Sequence, residues 1–100
     1  MKTTIQENEK QLVAVLEGEL DTAAAPAFEE AMQPLFDSKG REIVIDCTDL
    51  EYIASSGLRI LLNILKKAKA SGSRVVLRGV NEVIRDVFEL TGFINLFEFA

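Results

Sequence analysis

The chain has 100 residues, of which 48% are hydrophobic, and its 11 basic and 16 acidic side chains give a net charge of −5. This length is enough to bury the core of one domain, so we expect a single domain over residues 1–100. Nucleic acid demands a basic face, and the lysines cluster only at positions 66, 67 and 69, which argues against a nucleic-acid partner.

The sequence also carries no sign of a membrane segment or of export. No apolar run approaches the roughly 20 residues that a spanning helix needs, and no signal peptide opens the chain. The single cysteine, Cys47, lies in an apolar run and has no partner for an internal disulfide. We therefore expect a buried structural thiol, no direct membrane insertion and a cytoplasmic protein.

The first half of the chain predicts a hairpin, a helix and a central strand. Residues 3–6 and 11–16 read as two antiparallel strands joined by a short polar turn. Residues 18–22 interrupt the pattern, with Thr22 as the predicted cap of a helix in which Pro34 should cause a kink or an early end. The core-facing stripe of that helix is Phe28, Ala31, Met32, Leu35 and Phe36.

The second half continues the alternation of strands and helices. The apolar run 43–47 is typical of a central strand covered on both faces. A helix with leucines at helical spacing follows, with lysines near the end that Ser71 and Gly72 mark. Residues 75–77 predict another strand, and residues 93–99 an edge strand or a segment packed across the end. Asn81 should cap the last helix, whose apolar residues are Val83, Ile84, Val87 and Phe88, with Leu90 as a further candidate.

This order predicts an α/β fold, with a mixed, mostly parallel sheet, an antiparallel N-terminal edge strand and three or more helices. The second and third strands should run in parallel, so the segments 18–22 and 46–56 emerge at the same edge of the sheet. In open α/β sheets that carboxyl edge is where ligands and partners bind. Asp21 and Ser55 are therefore predicted to be near neighbours.

Several kinds of chemistry are disfavoured. The chain has no histidine to activate a serine, and "IASSGL" lacks the glycine that a nucleophile elbow needs two positions before the serine. A Ser-Lys pair stays open, although the nearest lysines lie about two and a half turns along the helix. Asp46, Asp49 and Glu51 do not have the spacing of a calcium loop, and no phosphate-binding glycine motif is present. We expect no enzyme, no catalytic residue, no metal and no cofactor.

The serine pair Ser55 and Ser56 has two interpretations. In the plainer one, either serine caps the following helix, and Gly57 lets the turn close tightly. In the other, a phosphate on Ser55 would meet free N–H groups and the positive end of the helix dipole. It would add a charge of about −1.5 to −2 and repel a partner docked at that edge.

Three segments resemble the STAS domain of bacterial anti-anti-sigma factors: "EIVIDCTDLEYIASSGLRILLNILKKAKASGSRVVLRGV", "GELDTAAAPAFEEAM" and "IRDVFELTGFINLFEF". Together they cover nearly the whole chain. The family's D-x-(S/T)-x-(L/V) motif falls on residues 46–50, its D-S-(S/T)-G-L motif on residues 54–58 and its G-x-(L/I)-D loop on residues 18–21. The chain departs from the pattern at Ala54, where many members have aspartate, and the acceptor serine is retained.

The resemblance implies a switch. In that family, a partner that is both an anti-sigma factor and a serine kinase phosphorylates the first serine of the pair, which here is Ser55. The unmodified protein would bind that kinase and release a sigma factor, phosphate would end the binding, and a PP2C-type serine phosphatase would restore it. The alternative is a STAS subunit of a lipid-transport ABC complex or of a sensory assembly, in which Ser55 only caps a helix.

The expected docking surface combines the serine turn with the helix after it: Asp21, Ala54, Ser55, Ser56, Gly57, Ile60 and Ile64. The two isoleucines widen the apolar arc of that helix to roughly 200°, beyond an ordinary core-facing stripe. Either a partner binds them, or a neighbouring helix or the C-terminal segment covers them.

Overall fold

The computed structural model describes all 100 residues, which form one five-stranded sheet with helices between the strands. The strands are β1 (Lys2–Glu7), β2 (Gln11–Leu20), β3 (Glu42–Ile53), β4 (Val75–Arg78) and β5 (Glu98–Phe99). The α-helices are α1 (Ala25–Ala31), α2 (Ser55–Ala70) and α3 (Glu82–Thr91), and short 3-10 helices span Gln33–Asp37 and Phe93–Asn95. None of the helices combines the length and the apolar character needed to cross a membrane.

The sheet has the strand order β1-β2-β3-β4-β5. The pair β1 and β2 is antiparallel, and every other neighbouring pair is parallel. The predicted mixed sheet with an antiparallel N-terminal edge is therefore confirmed, and the C-terminal segment supplies the edge strand β5. The carboxyl ends of β2, β3 and β4 all lie at the same edge of the sheet.

The core lies on one face of this sheet. Phe28 of α1, Leu61 of α2 and Phe88 of α3 belong to a single buried cluster together with Ile45 of β3. Val44, the neighbour of Ile45, is buried but lies outside that cluster. The expectation of a central strand covered on both faces is therefore confirmed. On the far face the cover around Val44 comes from long charged side chains and not from helices: Glu42, Arg74 and Arg78.

The strands β2 and β3 are longer than the sequence indicates, reaching Leu20 and Ile53, which are register partners. Along β3, only the stretch from Ile43 to Asp46 pairs with β4. Beyond it, β2 and β3 continue as a two-stranded extension with register shifts, one of them at Gly18, whose φ is +100°. These irregularities break the apolar alternation, which is why the pattern of the sequence ends too early.

The helix after β2 ends early, before Pro34, as predicted. Helix α1 stops at Ala31, and Pro34 then lies in the first turn of the 3-10 helix. The predicted cap is wrong, because α1 begins after Ala24, whose amide donates a 2.8 Å hydrogen bond to Oδ1 of Asp21. Asp21 and not Thr22 therefore closes the turn that leads into α1.

Helix α3 is capped as the sequence predicts but buries less of its apolar surface. Oδ1 of Asn81 accepts a hydrogen bond from the amide of Ile84 at 2.9 Å, and Gly92 ends the helix in the left-handed conformation. Val83 and Leu90 lie in α3 as predicted, but they are 59% and 88% exposed and do not contribute to the core. They lie seven residues apart, which places both on the outer side of the helix.

The single cysteine is the buried structural thiol that the sequence predicts. Cys47 is fully buried within the core cluster. Burial raises the pKa of its thiol to about 12, and the charge of Asp46 adds to this effect. Because the thiolate is the reactive form, Cys47 is inert at neutral pH.

Candidate functional site

The ends of β2 and β3 bring together the two loop segments that the sequence places at one sheet edge. Leu20 and Ile53 are register partners, and the amide of Ala54 donates a 2.8 Å hydrogen bond to the carbonyl of Leu20. Asp21 and Ser55 are the next residues on the two segments. The structure thus brings Asp21 and Ser55 to one edge, as expected. We call Asp21 and residues 54–57 the Ser55 edge.

Gly57 is at this position because α2 packs directly against β2. A Cβ atom on Gly57 would lie 2.6 Å from Cγ and 2.7 Å from Cδ2 of Leu20, and 3.2 Å from Cγ1 of Ile53. The two contacts with Leu20 are shorter than a Cβ atom makes without a shift of its neighbour, and the one with Ile53 is tight. The first turn of α2 therefore approaches the end of β2 as closely as it does only because residue 57 is a glycine.

Neither serine caps the helix, contrary to the first interpretation of the sequence. The cap residue of α2 is Ala54, in an extended conformation, and no side chain bonds to the first amides. Ser55 is the first residue of the helix. The N–H groups of residues 55–57 have no carbonyl one turn before them, so the start of α2 has free donors.

The two serines differ in accessibility. Ser55 is exposed, whereas Ser56 is partly buried. The hydroxyl oxygen of Ser56 is buried without a hydrogen-bond partner, which is true of no other buried side-chain N or O atom in the chain. It borders a groove between α1 and α2 that Glu29 and Arg59 also line. Only Ser55 is therefore open to a modifying enzyme in this conformation.

Ile60 and Ile64 are not on the surface. They are 6% and 0% exposed and belong to the core cluster. Helix α2 packs against β3 and also against α1 and the 3-10 helix Gln33–Asp37, so an apolar arc of unusual width is buried. Of the two explanations for that arc, cover by a neighbouring helix is correct, and the two isoleucines offer no docking surface.

The exposed face of α2 is basic. All 16 acidic residues of the chain lie outside α2, which carries Arg59 and three lysines. Ser55, Arg59, Asn63 and Lys66 are exposed and follow one another at helical spacing of three or four residues. Arg59 and Asn63 are absent from the docking surface predicted from the sequence, although their spacing places them on the same face of α2 as Ser55.

The first motif of the resemblance forms a hydrogen-bonded clamp between β3 and β4. Oδ1 of Asp46 accepts hydrogen bonds from Oγ1 and the amide of Thr48, at 2.6 and 3.0 Å, and Oδ2 pairs with Nη2 of Arg78 at 3.0 Å. The hydrogen bond from the Thr48 hydroxyl, and after it the one from the Thr48 amide and the pairing with Arg78, hold the pKa of Asp46 below its usual value. Gly79, with φ of +72°, packs against Thr48 so closely that a Cβ would collide with it. The role of this motif is structural.

The acids of the carboxyl edge do not form a metal centre. No group of three or more His, Cys, Asp or Glu side chains in the chain is arranged to hold an ion. The polar groups that remain at the Ser55 edge are the exposed hydroxyl of Ser55, the free amides behind it and the carboxylate of Asp21. This arrangement is suited to modification and docking.

Comparison with known proteins places this arrangement in a family. Residues 2–100 match the family model of the STAS domain. The chain belongs to the STAS domain family. BtrV of Bordetella bronchiseptica, which carries the name of an anti-sigma factor antagonist, is 33% identical to this STAS domain over 100 residues, covering the whole chain and 86% of BtrV. The resemblance drawn from the three sequence segments is therefore confirmed.

Solved structures agree with this assignment. The crystal structure of an anti-sigma factor antagonist from Mycobacterium paratuberculosis superposes with a TM-score of 0.81 at 30% identity, over 98% of this STAS domain and 83% of that chain. The anti-sigma factor antagonist SpoIIAA in its unphosphorylated form gives 0.82 at 21% identity, over 99% of this chain and 88% of that one. The phosphorylated form of Bacillus SpoIIAA gives 0.75 at 22%, over 99% and 91%. At these identities, SpoIIAA supports the fold alone.

Proposed function

We propose that this STAS domain is an anti-anti-sigma factor: with Ser55 unmodified, it binds an anti-sigma factor that is also a serine kinase, and so releases a sigma factor. The observation that carries the proposal is the exposed hydroxyl of Ser55 on the first residue of α2, at the sheet edge it shares with Asp21. The names of BtrV and of the mycobacterial protein support the general role. Such a role belongs in the cytoplasm, where the sigma factor acts.

Phosphorylation of Ser55 ends the binding by local electrostatics. A phosphate adds a charge of about −1.5 to −2 to an exposed position at the sheet edge that also carries Asp21. A partner surface that packs on the unmodified hydroxyl then meets a bulky, hydrated dianion. Leu20 and Gly57 fix the position of Ser55, so the switch needs no large conformational change. A PP2C-type serine phosphatase reverses it.

The docking surface differs from the one that the sequence suggests. It comprises the Ser55 edge and the exposed face of α2 with Arg59, Asn63 and Lys66, whereas Ile60 and Ile64 support it from the core. Because this face carries cations and no acid, the complementary surface of the kinase is acidic. A phosphate at one end of the basic face is placed to disturb that charge complementarity.

The proposal is tested by recovering the protein from its own cells, identifying the proteins that accompany it and mapping phosphate by mass spectrometry. We expect a serine kinase among them and phosphate on Ser55. After incubation with that kinase and ATP, the parent and Ser56→Ala should gain one phosphate, and Ser55→Ala should gain none. A parent chain that stays unmodified and accompanies a membrane ATPase or a sensory scaffold would contradict the switch and favour the structural alternative.

A further inference from the structure

The start of α2 has an empty capping position next to the proposed phosphorylation site. Ala54 occupies the cap position, where serine, threonine, asparagine or aspartate would supply an oxygen acceptor. The amides of residues 55–57 therefore have no acceptor from a side chain. Any group on Ser55 that carries oxygen atoms has these donors, and the positive end of the helix dipole, within its immediate surroundings.

Arg59 is a second, independent feature of the same surface. It is exposed and is the one arginine of the chain without a carboxylate within 4.0 Å, since the other four form ion pairs: Arg41 with Glu7, Arg74 with Glu42 and Glu98, Arg78 with Asp46, and Arg85 with Glu89. Glu29 of α1 lines the same groove as Arg59 but is not paired with it. A guanidinium that has no partner is available to bind a new anion.

The geometry of a helix directs Arg59 toward Ser55. The two residues are four positions apart on the exposed face, and side chains on a helix point back toward its N-terminus. An anionic residue four positions before a cationic one is the favourable order for a helical ion pair. Arg59 therefore reaches the space above Ser55 without any movement of the backbone.

We propose that Arg59 is the phosphate-binding residue of the switch: it pairs with a phosphate on Ser55, which the free amides of α2 also hold. This inference rests on the proposed phosphorylation of Ser55. It adds that modification also lowers the positive charge that α2 presents to the partner, because Arg59 turns from the docking face to the phosphate. A positive charge is thus withdrawn from the partner at the same place where a negative charge is added.

The test uses protein with phosphoserine genetically encoded at position 55, so that no kinase is needed. The pKa of the phosphate, ordinarily about 6, is measured by 31P NMR titration in the parent and in Arg59→Gln. We expect the pKa to rise by about half a pH unit or more in Arg59→Gln, because a nearby cation favours the dianion. The matched control is Arg85→Gln, which removes an exposed arginine of α3 and should leave the phosphate pKa unchanged.

A second measurement follows the capping role. Phosphoserine at position 55 should raise the Tm by about 4 to 8 °C, the size expected of one good helix cap in a domain of this length. Ala54→Asp supplies a cap of its own, and the gain on phosphorylation should then shrink. The inference is overturned if Arg59→Gln has the same phosphate pKa as the parent, or if phosphate does not raise the Tm.

These outcomes are independent of the proposed function. If modified and unmodified protein bind the kinase equally well, the switch fails, whether or not Arg59 binds the phosphate. If Arg59→Gln leaves the phosphate pKa unchanged while phosphate still abolishes kinase binding, the switch stands and the role of Arg59 is wrong.

Discussion

Leu20 and Gly57 are in direct contact, and this contact joins the two segments of the Ser55 edge. A Cβ atom on residue 57 would lie 2.6 Å from Cγ of Leu20, so the leucine side chain fills the space that this atom would need. The carbonyl of Leu20 also accepts the 2.8 Å hydrogen bond from the amide of Ala54. Asp21 and Ser55 follow these residues directly, so a partner meets them as one rigid surface.

Gly57→Ala should destabilise the domain by about 1 to 3 kcal/mol, because the added methyl group overpacks against Leu20. Chemical denaturation of the two proteins measures the difference. Asn63→Ala, on the exposed face of the same helix, is the matched control and should change the free energy of unfolding by no more than about 0.5 kcal/mol.

The contact with Leu20 can be isolated in a double-mutant cycle. Leu20→Ala alone should cost about 2 to 5 kcal/mol, since it leaves a cavity at a fully buried position. In that background, Gly57→Ala should be neutral or stabilising, because the clash is relieved and alanine favours a helix by about 1 kcal/mol over glycine. An equal cost of Gly57→Ala in both backgrounds would show that Leu20 is not the obstacle.

Asp46→Asn should weaken the domain in a pH-dependent manner. The hydrogen bonds from Thr48 lower the pKa of Asp46 in the folded state below the reference value of 3.8. The ionised carboxylate therefore stabilises the fold fully at pH values above 3.8, and this stabilisation is lost as the pH falls through the lowered pKa.

Urea denaturation between pH 7 and pH 3 measures this effect. The difference in unfolding free energy between the parent and Asp46→Asn should be largest near neutral pH and should shrink below pH 3.8. Asp49→Asn, at an exposed position of the same strand, is the control and should show little difference across the range. A difference that grows as the pH falls would contradict the assigned role of Asp46.

Phe88→Ala should cost about 3 to 5 kcal/mol, whereas Leu90→Ala should cost no more than about 0.5 kcal/mol. Phe88 is fully buried and packs edge-on against Phe97 and Phe99, with ring centroids 5.5 and 5.8 Å away. Leu90 lies on the outer side of the same helix. Thermal or chemical unfolding of the two variants compares the positions, and similar losses would contradict the described orientation of α3.

Local signals in the sequence predict much of this fold. The stripe with Ile84 and Phe88 indicates α3, Asn81 marks its start, and Pro34 marks the early end of α1. The alternation of strands and helices predicts the parallel pairing that brings Asp21 and Ser55 to one edge. Each of these features depends on residues close together in sequence or on a general rule of chain connection.

Features that depend on tertiary packing cannot be predicted from such local signals. The apolar arc with Ile60 and Ile64 looks the same whether a partner or another helix of the chain covers it. The extension of β2 to Leu20 depends on register shifts opposite β3, which the sequence pattern does not show. The sequence suggests Ser55 as a helix cap, whereas α2 begins at Ser55 and has Ala54 as its cap residue. The position of this helix start depends on the contact of Gly57 with Leu20 of β2, which no local pattern shows.

The central claim is that phosphate on Ser55 separates this STAS domain from its kinase. The direct test is isothermal titration of the kinase that accompanies the protein in its cells with three forms: the unmodified chain, Ser55→Ala and the chain with phosphoserine encoded at position 55. Circular dichroism on each form confirms that the fold is intact. We expect the first two to bind alike and the phosphorylated form to bind at least about tenfold more weakly, a loss of about 1.4 kcal/mol. Equal affinity of the phosphorylated and unmodified forms would contradict the claim.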